Sequence, residues 1–529
     1  MTFPTVQANR QIARAAGTVM IAFVLSSLSG LLRQVLVARA FGTQADMEAF
    51  NAANRVVETL FNLVAGGALS SAFLPTFTGL LAQGDRLRAW RLASAIFNFI
   101  LLIVSLAGLL AAVFAPWIVR HILAPGFSVV PAKESATIAL LRLMLPSAAV
   151  FAVSGLVMAI LNSHQVFFIP ALAPSMYQFG LIFGVLALAP RLGIYGLAWG
   201  VLLGAALHLL SQMPALLRLK GQYIPTLGLS DAHVREVGRL MLPRLFGVAA
   251  VQLNFWVNTR LASQQPEGSV TAIVIAFALM LMPQAAIAQS IAIAAMPTFS
   301  AQYALGRLTE MRSSLSASLR SVLLLSIPAS LGLILLRQPL VALLYQRGEF
   351  DAHSTRLVAW ALLWYAAGLV GHSVVEICAR AFYALHDTRT PVLIGATAMG
   401  LNVIFSLIFS AAFAQAGWMP HGGLALANSL ATALEMVALL FLLGRRLQGM
   451  EGRCVLMAAL QGLAGGLIMT LALWVWLSLV SGQPVWLVAL GGLFLGACVY
   501  AGFTLAIGVR EARELLGYIM RRFAIQRQI

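Results

Sequence analysis

Arg33 interrupts the apolar run 15–40, and Arg55 and Glu58 interrupt the next, 48–82. A charge in a run of membrane-spanning length is costly, so its side chain faces a protein interior or water. A guanidinium fork matches phosphate oxygens, which makes Arg33 a candidate contact for an anionic headgroup. The plainer use is an internal ion pair or a snorkelling anchor. Arg55 and Glu58 are three apart and share a helix face, so they either satisfy each other or extend the cationic surface. Glu48 either closes an outer gate with a base such as Arg39 or Arg260, or starts a helix in water. Arg142, four residues before Pro146, reaches a cavity or anchors a helix at the interface. The candidate binding residues are therefore Arg33, Arg55, Glu48, Arg142 and Arg260.

Other charges read more plainly. Glu376 and Arg380 have the spacing of an intrahelical ion pair. Glu435 has no neighbouring cation in sequence and serves either a coupling ion or a distant arginine. His208 and His372 are lone histidines in apolar runs and read as core. Cys378, Cys454 and Cys498 show no CxxC spacing, so neither a metal site nor a disulfide framework is implied. The chain has no phosphate-binding GxxxxGK[ST] loop and no HExxH, so no cofactor, ATP engine or catalytic metal is expected.

The elements that hold these residues must be membrane helices. Hydrophobic residues make up 60% of the 529, charged residues only 10%, and mean hydropathy is +0.91. A soluble domain carries about 25% charged residues. Fourteen apolar segments can be read: 15–40, 48–82, 92–118, 136–162, 168–189, 193–217, 238–262, 269–302, 316–337, 354–384, 391–415, 422–444, 455–480 and 485–508. With the N-terminus inside, 23 of the 34 basic residues fall on the cytoplasmic side. That asymmetry orients the chain with both termini cytoplasmic. The net charge of +17 is thus a loop property and does not point to nucleic acid. No cleavable leader pattern is read, and the basic amphipathic tail 510–529 suits an anionic leaflet.

The chain repeats itself. Pro75-Thr76-Phe77 returns as Pro297-Thr298-Phe299, and Gly126 as Gly348, each 222 positions on. Arg39 matches Arg260 and Pro170 matches Pro391 at 221. An offset of six spans keeps both copies in one orientation, which implies parallel repeats with a cavity at their interface. The expected fold is an all-α polytopic membrane protein of 14 transmembrane helices, two parallel six-helix lobes plus two extra helices. The domains are 1–222 (N-lobe), 223–447 (C-lobe), 448–509 (spans 13–14) and 510–529 (tail). Gly66-Gly67 is a candidate hinge. Pro75 and Pro297 are expected to mark the same cytoplasmic helix end in each half.

Several stretches resemble the MurJ (MviN) family of the multidrug/oligosaccharidyl-lipid/polysaccharide exporter superfamily. They are SGLLRQVLVARAFG (29–42), GGALSSAFLPTF (66–77), ILNSHQVFFIPALAP (160–174), LYQRGEF (344–350) and RAFYALHDTRTPV (380–392). The resemblance covers about 15–510. It implies a flippase that moves lipid II, an undecaprenyl-pyrophosphate-linked glycan, to the outer leaflet of the bacterial cytoplasmic membrane. Arg33, helped by Arg55, would hold the pyrophosphate, and spans 13–14 would offer a lipid-facing groove for the polyprenyl tail. Membrane lipids and a coupling ion are further candidate partners. The sequence departs from the family pattern where Ser27, Phe61 and Ala278 stand at positions that usually carry arginine, and Glu48 stands for an aspartate. Two alternative transporters stay open: an exporter of another undecaprenyl-linked glycan, and a MATE-like antiporter. So do a membrane scaffold and a membrane glycosyltransferase, although Glu134, Glu349 and Asp351 form no convincing catalytic set.

Overall fold

The computed structural model describes residue 22 and residues 25–64 and 68–513. The candidate hinge Gly66-Gly67 and most of the basic tail lie outside these residues. Every regular element described is helical, with no strand among the described residues. Among the described residues, eleven helices are long and apolar enough to cross a membrane, and twelve if one bent pair counts as one span.

In chain order, α1 covers 25–41, α2 is Ala45–Val64, α3 Ala68–Ala82, α4 Arg86–Val113 and α5 Pro131–Ser163. Then come α6 (Phe168–Leu192), α7 (Ile194–Arg218), α8 (Ala232–Ser263), α9 (Ser269–Ala304) and α10 (Leu308–Tyr345). The bent pair is α11 (Ala352–Ala367) and α12 (Leu369–Ala384), inclined by 46° at Gly368. The chain ends with α13 (Arg389–Gln415), α14 (His421–Arg446), α15 (Gly452–Leu479) and α16 (Val485–Ala506). The twelve spans from the third onward thus coincide with the apolar segments. The first two segments adjoin undescribed residues, and α2 is too charged to qualify by composition alone.

Two compact units divide the chain. One holds residues 1–270 with 347–350, the other 271–346 with 351–529. In the first, α6 and α7 meet through glycines: a Cβ on Gly180 or Gly204 would overlap the opposing backbone. Small residues are what permit such contact between membrane helices. In the second, a core of Phe299, Leu315, Leu319, Ile377, Phe382 and Leu439 is almost wholly excluded from solvent.

Some backbone details recur at the offset of the sequence repeat. The helices carrying Pro75 and Pro297 end at Ala82 and Ala304, and both are followed by a left-handed glycine, Gly84 (φ 79°) and Gly306 (φ 70°). The two prolines lie inside their helices, seven residues before the end, rather than at it. Phe77 and Phe299 are each fully buried within their own unit. Further on, Gln165 (φ 60°) and His386 (φ 59°) reverse the chain after α5 and α12. A left-handed residue is uncommon outside glycine, so its recurrence 221 positions on is informative.

Candidate functional site

A polar face runs along α2 in the first unit. The Arg55 Nη1–H donates to Glu58 Oε2 at 2.9 Å, and Asn54 donates to the other carboxylate oxygen at 2.7 Å. The Arg55 guanidinium lies over the Phe255 ring, 4.9 Å from its centroid. Thr59 donates to the Arg55 carbonyl at 2.7 Å and accepts from the Trp256 indole at 2.7 Å, which ties α2 to α8. The intrahelical pair expected from spacing is therefore present.

Arg33 is half-buried on α1. Its Nε–H is enclosed and has no acceptor, and it forms no ion pair among the described residues. Arg33 and Glu58 both lie near the phenol of Tyr177 on α6. Arg55 Nε is likewise enclosed without an acceptor. Two guanidinium donors in one apolar unit are thus unspent, and buried donors normally find partners.

Glu48 sits elsewhere, at the start of α2, and is 2% exposed. One carboxylate oxygen is paired with Lys133, and the other accepts from the Val270 N–H at 2.8 Å. Lys133 also lies over the Phe127 ring at 4.1 Å. The basic partner of Glu48 is therefore Lys133, not Arg39 or Arg260. Arg260 is turned to the carbonyls of His121 and Ile122, and the Arg39 carbonyl accepts from the Glu349 N–H at 3.0 Å. Around the pair, Ala45 N–H donates to Glu267 at 2.9 Å and Gln44 to Glu349 at 3.0 Å. Arg120 donates to Glu134 at 2.6 Å. Sequence reasoning missed Lys133. The available signal was its rarity, since the chain has only two lysines.

Arg142 is exposed and donates through Nε to the Ala112 carbonyl at 3.0 Å, as an anchor between α5 and the end of α4 would. Thus Arg33 and Arg55 belong to one region, while Glu48, Arg142 and Arg260 serve separate local contacts. Phe61 packs on Phe151 with centroids 5.0 Å apart. His208 is buried against Ser154 at 2.6 Å, and His372 lies 3.0 Å from Asn428 Oδ1. Glu376 pairs with Arg380 at 2.9 Å. Glu435 has no ion-pair partner, and no cluster of metal-ligating side chains occurs among the described residues.

The second unit offers an apolar groove in two stretches, of about 620 and about 500 Å³. Helices α10 and α16 line both, and Tyr500 belongs to both. The Tyr500 hydroxyl donates to the Leu324 carbonyl at 2.6 Å and so fixes α16 to α10. At one end, Arg320 of α10 donates to Glu511 at 2.6 Å and lies 3.6 Å from Glu451.

Eleven or twelve hydrophobic spans among the described residues, with enclosed guanidinium N–H donors in the first unit and an apolar groove in the second, are those of a polytopic membrane protein. Its fold is that of a lipid II flippase MurJ solved in an inward closed conformation: TM-score 0.80, 24% identity, covering 94% of this chain and 99% of that one. An inward-facing multidrug resistance MATE family transporter of the MOP superfamily is more distant, with TM-score 0.67, 15% identity, and 82% and 98% covered.

The chain belongs to the lipid II flippase MurJ family, whose model matches residues 37–491. The probable lipid II flippase MurJ of Vibrio cholerae serotype O1 is 30% identical over 537 aligned residues, 96% of this chain and 98% of the relative. The lipid II flippase MurJ of Burkholderia cenocepacia is 30% identical across 82% of this chain and 84% of its own length.

Proposed function

We propose that this protein moves lipid II from the inner to the outer leaflet of the bacterial cytoplasmic membrane by alternating access. The observation that carries this reading is Arg33: a guanidinium inside an apolar bundle with an enclosed N–H and no acceptor. A diphosphate supplies what that donor lacks, since charge-assisted hydrogen bonds to phosphate are strong and directional. Arg55, also with an unspent Nε–H, extends the cationic surface. The groove of the second unit, lined by α10 and α16, suits a polyprenyl chain, being almost entirely apolar with Ser318, Ser321, Thr504 and Glu511 at one end.

The finer organisation follows from the repeat. Fourteen spans form parallel lobes 1–222 and 223–447, with spans 13–14 (448–509) as the tail-binding appendix and both termini cytoplasmic. Glu48 with Lys133 acts as an outer latch, Arg142 and Arg260 hold helix ends, and Pro75, Pro297 and Gly66-Gly67 supply bending points. An ion gradient or the membrane potential drives the cycle. A second reading, export of another undecaprenyl-linked glycan, is favoured by the apolar Phe61–Phe151 contact at a position where the family carries a cation.

The test is lipid II arrival outside cells depleted of their own flippase, read by a periplasmic lipid II-cleaving probe. Wild type restores arrival and Arg33→Ala abolishes it. No arrival with folded, inserted wild-type protein overturns the lipid II assignment in favour of the second reading.

A further inference from the structure

The first unit carries a cavity pair that the transport reading does not use. The connection after α7 folds back along α4 as a strap. Arg86 donates to the Leu219 carbonyl, Ile224 N–H to Ser94 Oγ at 3.1 Å, and Asn98 to the Thr226 carbonyl at 2.9 Å. Tyr223 donates to Asn98 Oδ1 at 2.7 Å. Gly221 lies so close to the Trp90 ring that any Cβ would enter it. Lys220, just before it, is held in the left-handed region at φ 49°. That conformation costs a non-glycine residue energy, so the packing around the strap must impose it.

Two hollows open beside this strap. One, of about 400 Å³, is apolar and walled by Phe97, Val153, Leu156, Leu209 and Leu216 with Trp90. The other, of about 390 Å³, is bounded by Arg86, Lys220 and Gln222 together with Leu87 and again Trp90. Trp90 is the shared wall, and its indole N–H is enclosed with no acceptor. Neither Arg86 nor Lys220 has a carboxylate partner among the described residues, because nearby Asp85 is engaged by Arg88 at 3.3 Å. Leu87, Leu217 and Tyr223 are each more than 60% exposed at the rim, as side chains facing lipid tails would be.

An apolar hollow beside a two-cation one, with the Trp90 ring between them, fits an amphiphile with an anionic head. We propose that the paired cavities bind an anionic phospholipid of the bilayer, an acyl chain entering the apolar hollow and the phosphate meeting Arg86 and Lys220. Basic pockets between helices at the cytoplasmic side are where such headgroups bind. The site lies in a different unit from the groove assigned to the polyprenyl tail, so it stands whichever glycan is carried.

Native mass spectrometry of the detergent-purified full chain, titrated with phosphatidylglycerol or phosphatidylcholine, tests this. Wild type holds one phosphatidylglycerol about thirtyfold more tightly than phosphatidylcholine, the ratio that ~1 kcal/mol from each of two basic residues gives. Arg86→Gln with Lys220→Gln removes that preference. Leu156→Trp fills the apolar hollow and weakens both lipids. Equal binding of the two lipids by wild type, or a preference that survives the double substitution in protein with unchanged thermal unfolding, overturns the proposal. So does displacement of the bound lipid by inorganic phosphate or diphosphate at equal concentration, which would make the two-cation hollow a free-phosphate site. Displacement only by a lipid-linked diphosphate would assign the cavities to the substrate and overturn it too.

Discussion

Lys133→Met tests the buried ion pair at the start of α2. In the native protein the Lys133 and Glu48 side chains are 8% and 2% exposed, so neither charge is hydrated by bulk water. Removing the ammonium leaves the carboxylate enclosed with backbone donors alone, the Val270 N–H at 2.8 Å and that of Gly268. Breaking one side of a buried pair costs about 3–5 kcal/mol. Loss of the ammonium from the Phe127 ring adds about 2 kcal/mol at a desolvated site. Glu48→Gln is milder, because the amide oxygen can still accept from Val270 and the lysine stem can carry its charge outward. Combining Glu48→Gln with Lys133→Met removes both charges and returns stability to within about 1 kcal/mol of wild type, since replacing a buried pair by uncharged groups is often nearly neutral. The expected coupling is about 2–4 kcal/mol. Thermal unfolding of the four proteins in one detergent, with the same lipid content, reads the order: wild type and double variant high, Glu48→Gln between, Lys133→Met lowest. A Lys133→Met protein as stable as wild type, or single effects that add, would refute the claim that this pair is dry and mutually dependent.

Four further outcomes follow. Arg33→Lys, which keeps the charge but loses the fork, should reduce lipid II arrival at least tenfold while leaving unfolding unchanged, because bidentate phosphate contact is not replaced by an ammonium; full activity would sink the phosphate role. Gly496→Leu, placed in the wall of the groove shared by α10 and α16, should lower transport by obstructing the tail, without loss of folded protein on size exclusion. Arg320→Gln leaves Glu451 and Glu511 without their shared cation and should lower the unfolding temperature, whereas Arg320→Lys recovers part of it. Asp387 accepts from the Thr390 N–H at 3.1 Å, and this bond, with smaller help from Arg389 and Arg446, holds its carboxyl below the usual 3.8. Its stabilisation is therefore complete above that ordinary value and lost as pH falls through the depressed one. Asp387→Asn should cost about 1 kcal/mol at neutral pH, with the gap to wild type closing in strong acid, as unfolding scans at several pH values would record.

The helices were legible because their signal is one-dimensional. A span needs about twenty apolar residues in sequence, and nothing distant has to be known to see them. All twelve segments from 92–118 onward reappear as helices or, for 354–384, as a pair bent at Gly368. The recurrence of Pro-Thr-Phe was legible too, and the backbone adds a match that the side chains do not show: Gln165 and His386, 221 positions apart, are both left-handed. Partner choice was less accessible. Arg55–Glu58 and Glu376–Arg380 could be paired from spacing because both members share a helix face. Glu48 could not, since its cation lies 85 positions away.

Length, hydrophobicity, arginine distribution, the internal repeat and the MurJ-like motifs determined by themselves that this is a polytopic helical membrane protein and pointed to its family. These features depend on residues taken one by one or at fixed spacing. Tertiary structure decided which partner each charge meets and which donors are left over. It gave Glu48 to Lys133 and Val270, turned Arg260 to the carbonyls of His121 and Ile122, and left the Nε–H donors of Arg33 and Arg55 without acceptors. It also laid Gly221 on the Trp90 ring and so made two hollows from segments more than a hundred residues apart. The physical reason is that hydrogen bonds and desolvation act over a few ångströms in space, and residues that close can stand anywhere along the chain.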